Sequence, residues 1–431
     1  MKMPRSLIVI PTSMLAAAVA TSGTAQAQTP PATAAATFIA TQFATGGDHF
    51  PTSDPRGYGY TTQGVIALAS AGTAQAQMRA AADHLIASTR ETFRPYGLPF
   101  SVMALAQHIV MLKAVGLDPR AQHGVDQVAL LQGLEYPEGR FHDLNPNGNY
   151  AQTYDQVWSM LALRRAGAPV STKAVNHLMG QQCADGGFRL EPDAPDCVSD
   201  ANTTALAAQF FAATGRSADL TKTVDFLAAA QDSTGGVPGT TTGVNTATTG
   251  LAAVAFTLAG RSDNAARAAA YVRSLQFGCS APPAMRGAIA TDKTSFDAQM
   301  AKGAAATPTV GEYEGTSLGI HALTGQGLLE VSAHGADQTI AIACATSTSN
   351  TASSTSTASA TSQTSATSGT ASSTGTGSAS TSTSDVTGPP VVTDGGSSGG
   401  ADPAVLMLAA GGLAVVGIGG AAAGVRGGRR R

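Results

Sequence analysis

Charge is what this sequence has least of. Asp, Glu, Lys and Arg make up 12% of its 431 residues, about half the roughly 25% usual for soluble domains. The formal net charge is -3 and there is no basic stripe. That excludes nucleic acid as a partner, because nucleic-acid binding needs Lys and Arg clustered on one surface. Aromatic residues are equally sparse at 5%, and Trp158 is the sole tryptophan. The four cysteines form no CxxC pair and no His-x3-His accompanies them, so zinc spacing is missing and no cofactor or metal is expected.

Ala, Gly, Ser and Thr dominate instead, and they are unevenly placed. Residues 1–27 carry Lys2 and Arg5, an apolar stretch from Leu7 to Ala20, and Ala25-Gln26-Ala27, which reads as a secretory signal peptide. Residues 346–402 are Ser, Thr, Ala and Gly with almost no large apolar side chain, a composition that buries no core and is expected to be a disordered stalk. Residues 403–425 are an unbroken apolar run, long enough to span a bilayer as a transmembrane helix. The Arg-rich tail 426–431 is expected to stay in the cytoplasm. This layout resembles Gram-positive cell-surface proteins, with residues 28–345 held at the outer face of the plasma membrane or cell wall. The LPxTG signal is absent, so retention by the span is expected. Four cysteines in an exported chain imply two disulfides, with three pairings open. The pairing taken is Cys183 with Cys197 and Cys279 with Cys344; the first closes a loop of about 15 residues, worth about 3 kcal/mol in the chain-entropy model.

Within residues 28–345 one unit recurs, an apolar helix, a Gly-rich turn, a polar loop and a second helix ending in Gly. It is clearest from Val175 to Gly215, and returns from Val224 to Gly260, Val128 to Gly167, Phe38 to Gly72 and, with a long insert, Ala269 to Gly327. A worn sixth copy starts near His84. Aligning Gln42, Thr89, Gln132, Gln182, Gln231 and Gln276 gives a period of about 43 to 50 residues, which marks a repeat architecture. Each hairpin has an apolar face too small to bury alone, so copies must stack. Six pairs closing on themselves make an all-α (α/α)6 toroid. Gly72, Gly116, Gly167, Gly215 and Gly260 are placed to end helices through a left-handed residue. Thr61, Ser101, Thr153, Thr203, Thr246 and Thr316 are placed to cap the inner helices.

The motif Gln181-Gln182-Cys183-Ala184-Asp185-Gly186-Gly187-Phe188, and its partner Gln231-Asp232-Ser233-Thr234-Gly235-Gly236-Val237, resembles the prenyltransferase and squalene cyclase repeat of terpenoid cyclases. The resemblance covers about Ala34 to Cys344 and implies the toroid; fold and activity separate. The catalytic signatures that such a family implies are missing. There is no DxDD, no Asp-x-Cys to join His321 in a zinc set, and no GCGEQ thioester motif. Carboxylates near inner-helix starts, Asp155, Asp200, Glu312 and Glu314, could serve a polysaccharide-cleaving cleft, but capping or solvation accounts for each.

The cavity is therefore the expected functional feature, a capture site for a small molecule. Its rim candidates are Tyr60, Tyr96, Phe100, Tyr154, Asp155, Trp158, Asp200, Asn202, Asn245 and Glu314. Aromatics with a few polar groups suit a flat or amphipathic ligand. Asp200 to Ala207 is similar to helix starts of the exported cobalamin carriers, transcobalamin and intrinsic factor, which implies a corrinoid as one ligand class; an isoprenoid is the other. Those carriers also have a closing β domain that this chain lacks, so a separate β-domain protein or a membrane transporter is an expected partner. Two other readings stay open: an extracellular enzyme with a toroid cleft, terpenoid cyclase-like or polysaccharide-cleaving, and a structural or adhesive wall-binding protein.

Overall fold

A computed structural model describes residues 29–54, 56–88, 101–122, 124–145, 148–333, 341–342 and 344. Residues 1–27, 346–402, 403–425 and 426–431, the segments expected as signal peptide, stalk, span and tail, lie outside them, as do Tyr96 and Phe100. Among the described residues there are thirteen α-helices, and none is long and apolar enough to cross a membrane.

Six helices form the inner wall: α2 (Gly57–Ala71), α4 (Val102–Ala114), α6 (Thr153–Arg165), α8 (Ala201–Ala213), α10 (Thr246–Leu258) and α13 (Val310–Thr324). Each packs on the next, and α13 packs on α2, so the wall is a closed ring. Behind them stand α1 (Pro31–Gly46), α3 (Gln75–Ala87), α5 (Gln127–Gly133), α7 (Thr172–Met179), α9 (Ser217–Ala230) and α11 (Ser262–Ser274). The helix α12 (Lys293–Ala301) belongs to the insert of the last unit. An inner helix is covered on both flanks and from behind, so nearly its whole surface is apolar and buried, as in α8 with Ala205, Leu206, Ala207, Ala208 and Phe210. Gly72, Gly116, Gly167, Gly215 and Gly260 all have positive φ, ending the inner helices as expected.

The Gly-rich turns join one unit to the next. A Cβ on Gly139 would lie 2.3 Å from the Lys173 backbone, on Gly186 2.7 Å from the Lys222 carbonyl, and on Gly235 2.4 Å from that of Arg267. Each of those carbonyls belongs to the outer helix of the following unit. On Gly287 the same atom would lie 2.1 Å from the carbonyl of Ala34, in the first helix of the chain, so one contact repeated along the sequence also closes the ring. Gln276 Nε2 reinforces this seam by donating to Pro31 O (2.8 Å) and Gly287 O (3.1 Å). On the inner wall Ser70 Oγ and Thr324 Oγ1 meet at 2.6 Å.

The Gln alignment needs one correction. Gln182 and Gln276 bridge to Phe188 and Ile289 by backbone hydrogen bonding, and in the third unit the residue that bridges to Phe141 is Glu135, three positions beyond Gln132. Sequence identity favoured a glutamine, but the contact is made by the main chain, which does not require one.

Both expected disulfides are formed, Cys183–Cys197 and Cys279–Cys344. The first spans a small ladder in which β1 (Phe188–Arg189) pairs antiparallel with β2 (Ser199–Asp200); β3 (Val237–Gly239) and β4 (Gly243–Asn245) repeat it one unit later. At the opposite end, residues 326–333 fold across the ends of the inner helices. Leu328, Val331 and Ala333 are buried, Leu328 N–H donates to Gln209 Oε1 (3.0 Å) and Ala333 N–H to Ala114 O (2.8 Å). The ring is thereby floored where its inner helices end.

Candidate functional site

The face at which the inner helices begin is built from a clamp that recurs in five units. A polar side chain in the first turn or turns of the inner helix accepts the backbone N–H of the apolar residue after the Gly-rich turn. The pairs are Thr61 with Phe50 (3.2 Å), Gln156 with Phe141 (2.9 Å), Thr204 with Phe188 (2.8 Å), Thr249 with Val237 (2.9 Å) and Thr316 with Ile289 (2.8 Å). Each threonine hydroxyl also donates to the carbonyl four residues earlier. A buried amide is satisfied, the apolar residue is pinned in the core, and the rotation of each inner helix is fixed. In the second unit the corresponding position, four beyond the cap Ser101, is Leu105.

Because the helices share one rotation, one position faces the ring centre in every unit. Two residues before the clamp stand Gly59, Met103, Tyr154, Asn202, Ala247 and Glu314, and all six keep partial solvent access in a wall that is mostly buried. One turn deeper, on the same face, come Gln63, Gln107, Trp158, Leu206, Leu251 and Leu318, all of them buried except Gln63. These two layers are the mouth and its base.

The electrostatics agree with this placement. The Tyr154 hydroxyl is held well above its ordinary range by burial, and the carboxylates of Asp155, Asp200 and Glu314 push in the same direction. Glu314 lies on the helix diametrically across the ring from Tyr154. The Trp158 indole offsets part of the Tyr154 shift, although its N–H makes no full hydrogen bond; the two rings meet edge to face at 6.4 Å. Burial raises the Glu314 carboxyl to about 7, with the Arg56 guanidinium opposing and Asp54 adding. Arg56 itself is committed to Asp54 at 2.7 Å. Four polar atoms in or beside these layers are shielded from water and unpaired: Gln63 Oε1, Gln107 Nε2, Trp158 Nε1 and Asn202 Oδ1.

Of the rim residues read from sequence, Tyr154, Asn202 and Glu314 share the partly exposed register, and Trp158 lies one turn below Tyr154. Asp200 and Asn245 sit two residues further out as helix caps. Asp200 Oδ1 accepts Thr203 N–H (2.7 Å) and its Oδ2 accepts the Thr240 hydroxyl (2.7 Å); Asn245 Oδ1 accepts Thr248 N–H (2.8 Å). Thr61, Thr153, Thr203, Thr246 and Thr316 are inside their helices rather than capping them, whereas Ser101 does cap, accepting Ala104 N–H at 3.3 Å. Tyr60 is turned into the core with Arg56 over its ring. Asp155 caps by accepting Gln152 N–H (3.0 Å). Its other oxygen is buried and unpaired, and burial, with Asp143 and Glu191 adding, raises its carboxyl well above the usual range against the pull of that N–H and of Arg140. His321 lies deep in α13, bonded to Gln326 O (3.1 Å) and lowered by burial to about 4. Gln63, Gln107, Met103 and Ala247 were missed; counting along each helix from the clamp residue would have found them.

The sequence matches no family model and no curated protein. Among solved structures it is similar to a type II terpene cyclase from Scytonema in complex with geranylgeranyl dihydroxybenzoate (16% identity, 68% of this chain and 95% of that one, TM-score 0.49). It is also similar to an unsaturated glucuronyl hydrolase from a Bacillus species (13%, 68% and 95%, 0.46) and to ent-copalyl diphosphate synthase from Streptomyces platensis (17%, 63% and 51%, 0.41). The toroid itself rests on the closed ring of helix contacts.

Proposed function

We propose that this chain is an exported, membrane-tethered toroid that captures a small amphipathic molecule in the mouth lined by Tyr154, Trp158, Asn202 and Glu314. The observation that carries the reading is the set of shielded, unpaired polar atoms on Gln63, Gln107, Trp158 and Asn202. An unsatisfied buried donor or acceptor costs about 1 to 3 kcal/mol, and a ligand that pairs with several of them recovers that penalty. Leu206, Leu251 and Leu318 make the rest of the base apolar. A polar mouth over such an apolar base suits an isoprenoid-like chain with a small polar head. In this proposal the segment 403–425 holds the toroid at the outer face of the membrane, and a transporter or a separate β-domain protein receives the ligand.

The test is native mass spectrometry of the full protein recovered from its own host, followed by challenge with a polyprenyl alcohol and with cobalamin. A stoichiometric adduct, with added stability of about 2.7 kcal/mol at a hundredfold excess over Kd, is the expected result. Gln107→Ala and Tyr154→Ala should each weaken binding about tenfold, the loss of roughly one net interaction. No adduct and no stabilisation with either ligand would overturn the capture reading. An enzymatic reading is favoured by one observation, the Glu314 carboxyl near 7, which is poised for proton transfer at neutral pH. It predicts that Glu314→Gln abolishes turnover of the captured molecule while leaving its binding in place.

A further inference from the structure

At the floored end of the ring a separate cleft of about 470 Å³ is lined by Lys113, Arg164, Arg165, Ala213, Leu329 and Glu330. Three cations face one acid in a chain where charge is scarce. Basic residues in the last turn of a helix commonly serve free helix-end carbonyls, as Arg164 does here, but Lys113 and Arg165 serve none of those that end α4, α6 and α8. Ala114 O accepts Ala333 N–H, Ala166 O accepts Arg120 Nη1 (3.0 Å), and Ala213 O accepts Arg164 Nη2 (3.4 Å). The ammonium group of Lys113, half-buried in the last turn of α4, has no hydrogen bond or ion pair among the described residues. Arg165 gives one N–H to Val331 O, while its Nε–H is shielded from water and unpaired. Burial lowers the Arg165 guanidinium, and Glu330, close enough to oppose this, forms no ion pair with it.

A desolvated guanidinium with an idle N–H beside an unpaired ammonium lacks one thing, an acceptor carrying negative charge. We propose that the cleft between the ends of α4 and α6 binds a phosphate-class oxyanion, free or as a lipid headgroup, held by Lys113 and the Nε–H of Arg165. The site lies at the opposite end of the inner helices from the mouth and is independent of the capture reading.

The test is titration of the full-length protein by calorimetry with inorganic phosphate, and by co-sedimentation with vesicles of phosphatidic acid in phosphatidylcholine against phosphatidylcholine alone. Saturable binding of phosphate or of the acidic vesicles is expected, identifying a free or a headgroup source respectively, and weakening with added salt. Lys113→Gln, a substitution at a half-exposed side chain with no partner, should weaken it at least tenfold. Glu330→Gln should tighten it about threefold by removing the opposing charge, a gain that misfolding cannot mimic. Absence of saturable binding to both probes, or binding indifferent to Lys113→Gln and Glu330→Gln, would overturn the proposal.

Discussion

At the scale of single residues the molecule's pH response is set by groups that burial keeps neutral. A carboxyl whose proton affinity is raised on folding contributes stability that is fully present below its ordinary range and lost as pH rises through its folded value. Glu314, raised to about 7, Asp155, raised well above its usual range, and Asp143, raised by burial, all act in this direction. His108 and His321 act oppositely. Burial lowers both to about 4 from an ordinary 6.5, so stability is lost as pH falls below about 6.5 and the unfolded chain takes up protons that the folded one refuses. Below 6.5 the two contributions oppose each other; above it only the carboxyls still titrate. Urea-midpoint measurements should therefore show stability falling between pH 6.5 and 8, and Glu314→Gln should flatten that fall. An unchanged slope in the variant would show that Glu314 is not its source. The clamp threonines give a second residue-scale prediction. Thr249→Val keeps the shape but leaves the buried Val237 N–H without its acceptor, and should lower stability by about 1 to 3 kcal/mol in denaturant titration, with Thr249→Ser recovering part of the loss.

Between elements, close approach decides which residues the repeat can tolerate. Gly235 combines φ of +92° with a backbone carbonyl 2.4 Å from where a Cβ would stand, so Gly235→Ala meets both conformational strain and a clash that no side-chain movement relieves. Its expected loss, measured by chemical denaturation, is at least the roughly 1 to 3 kcal/mol that a residue forced into sparsely populated backbone space costs. Gly243, also at positive φ but with open space around it, should lose less. A sequence records such constraints, which is why the Gly-Gly turns, the period and the helix-ending glycines were legible. The inward-facing layer was not. Gly59, Met103, Tyr154, Asn202, Ala247 and Glu314 share no chemistry, only a register, and the register is set by hydrogen bonds between segments 11 to 27 residues apart. Caps were misplaced for a related reason. In α8 and α10 the first threonines, Thr203 and Thr246, give their hydroxyls to Asp200 Oδ1 and Ala290 O, Thr204 and Thr249 do the clamping, and the neighbouring Asp200 and Asn245 do the capping.

For the molecule as a whole, the weak place in a ring of repeats is the joint between its first and last copies, because no chain connection crosses it. Here α1 meets the Gly287 turn, Gln276 reaches Pro31 O, and Ile342 lies over the same glycine, 3.0 Å from where its Cβ would be. Cys344, two residues further on, is bonded to Cys279 of the last unit. That disulfide closes a loop of 65 residues and the other one of 14, worth about 4 and about 3 kcal/mol respectively in the chain-entropy model. The larger difference is in what each holds. Cys183–Cys197 ties one loop to itself, whereas Cys279–Cys344 fastens the end of the domain across the joint. Replacing Cys279 and Cys344 together by Ser should lower global stability more than replacing Cys183 and Cys197, and should speed hydrogen exchange first at the Phe277 and Gly287 amides, which bond to each other's turn. The Cys183 and Cys197 replacement should quicken exchange mainly at Cys183 and Arg189, whose amides bond within their own loop. Equal exchange at the joint in the two variants would mean that the helix packing of α13 on α2 closes the ring without help from the disulfide.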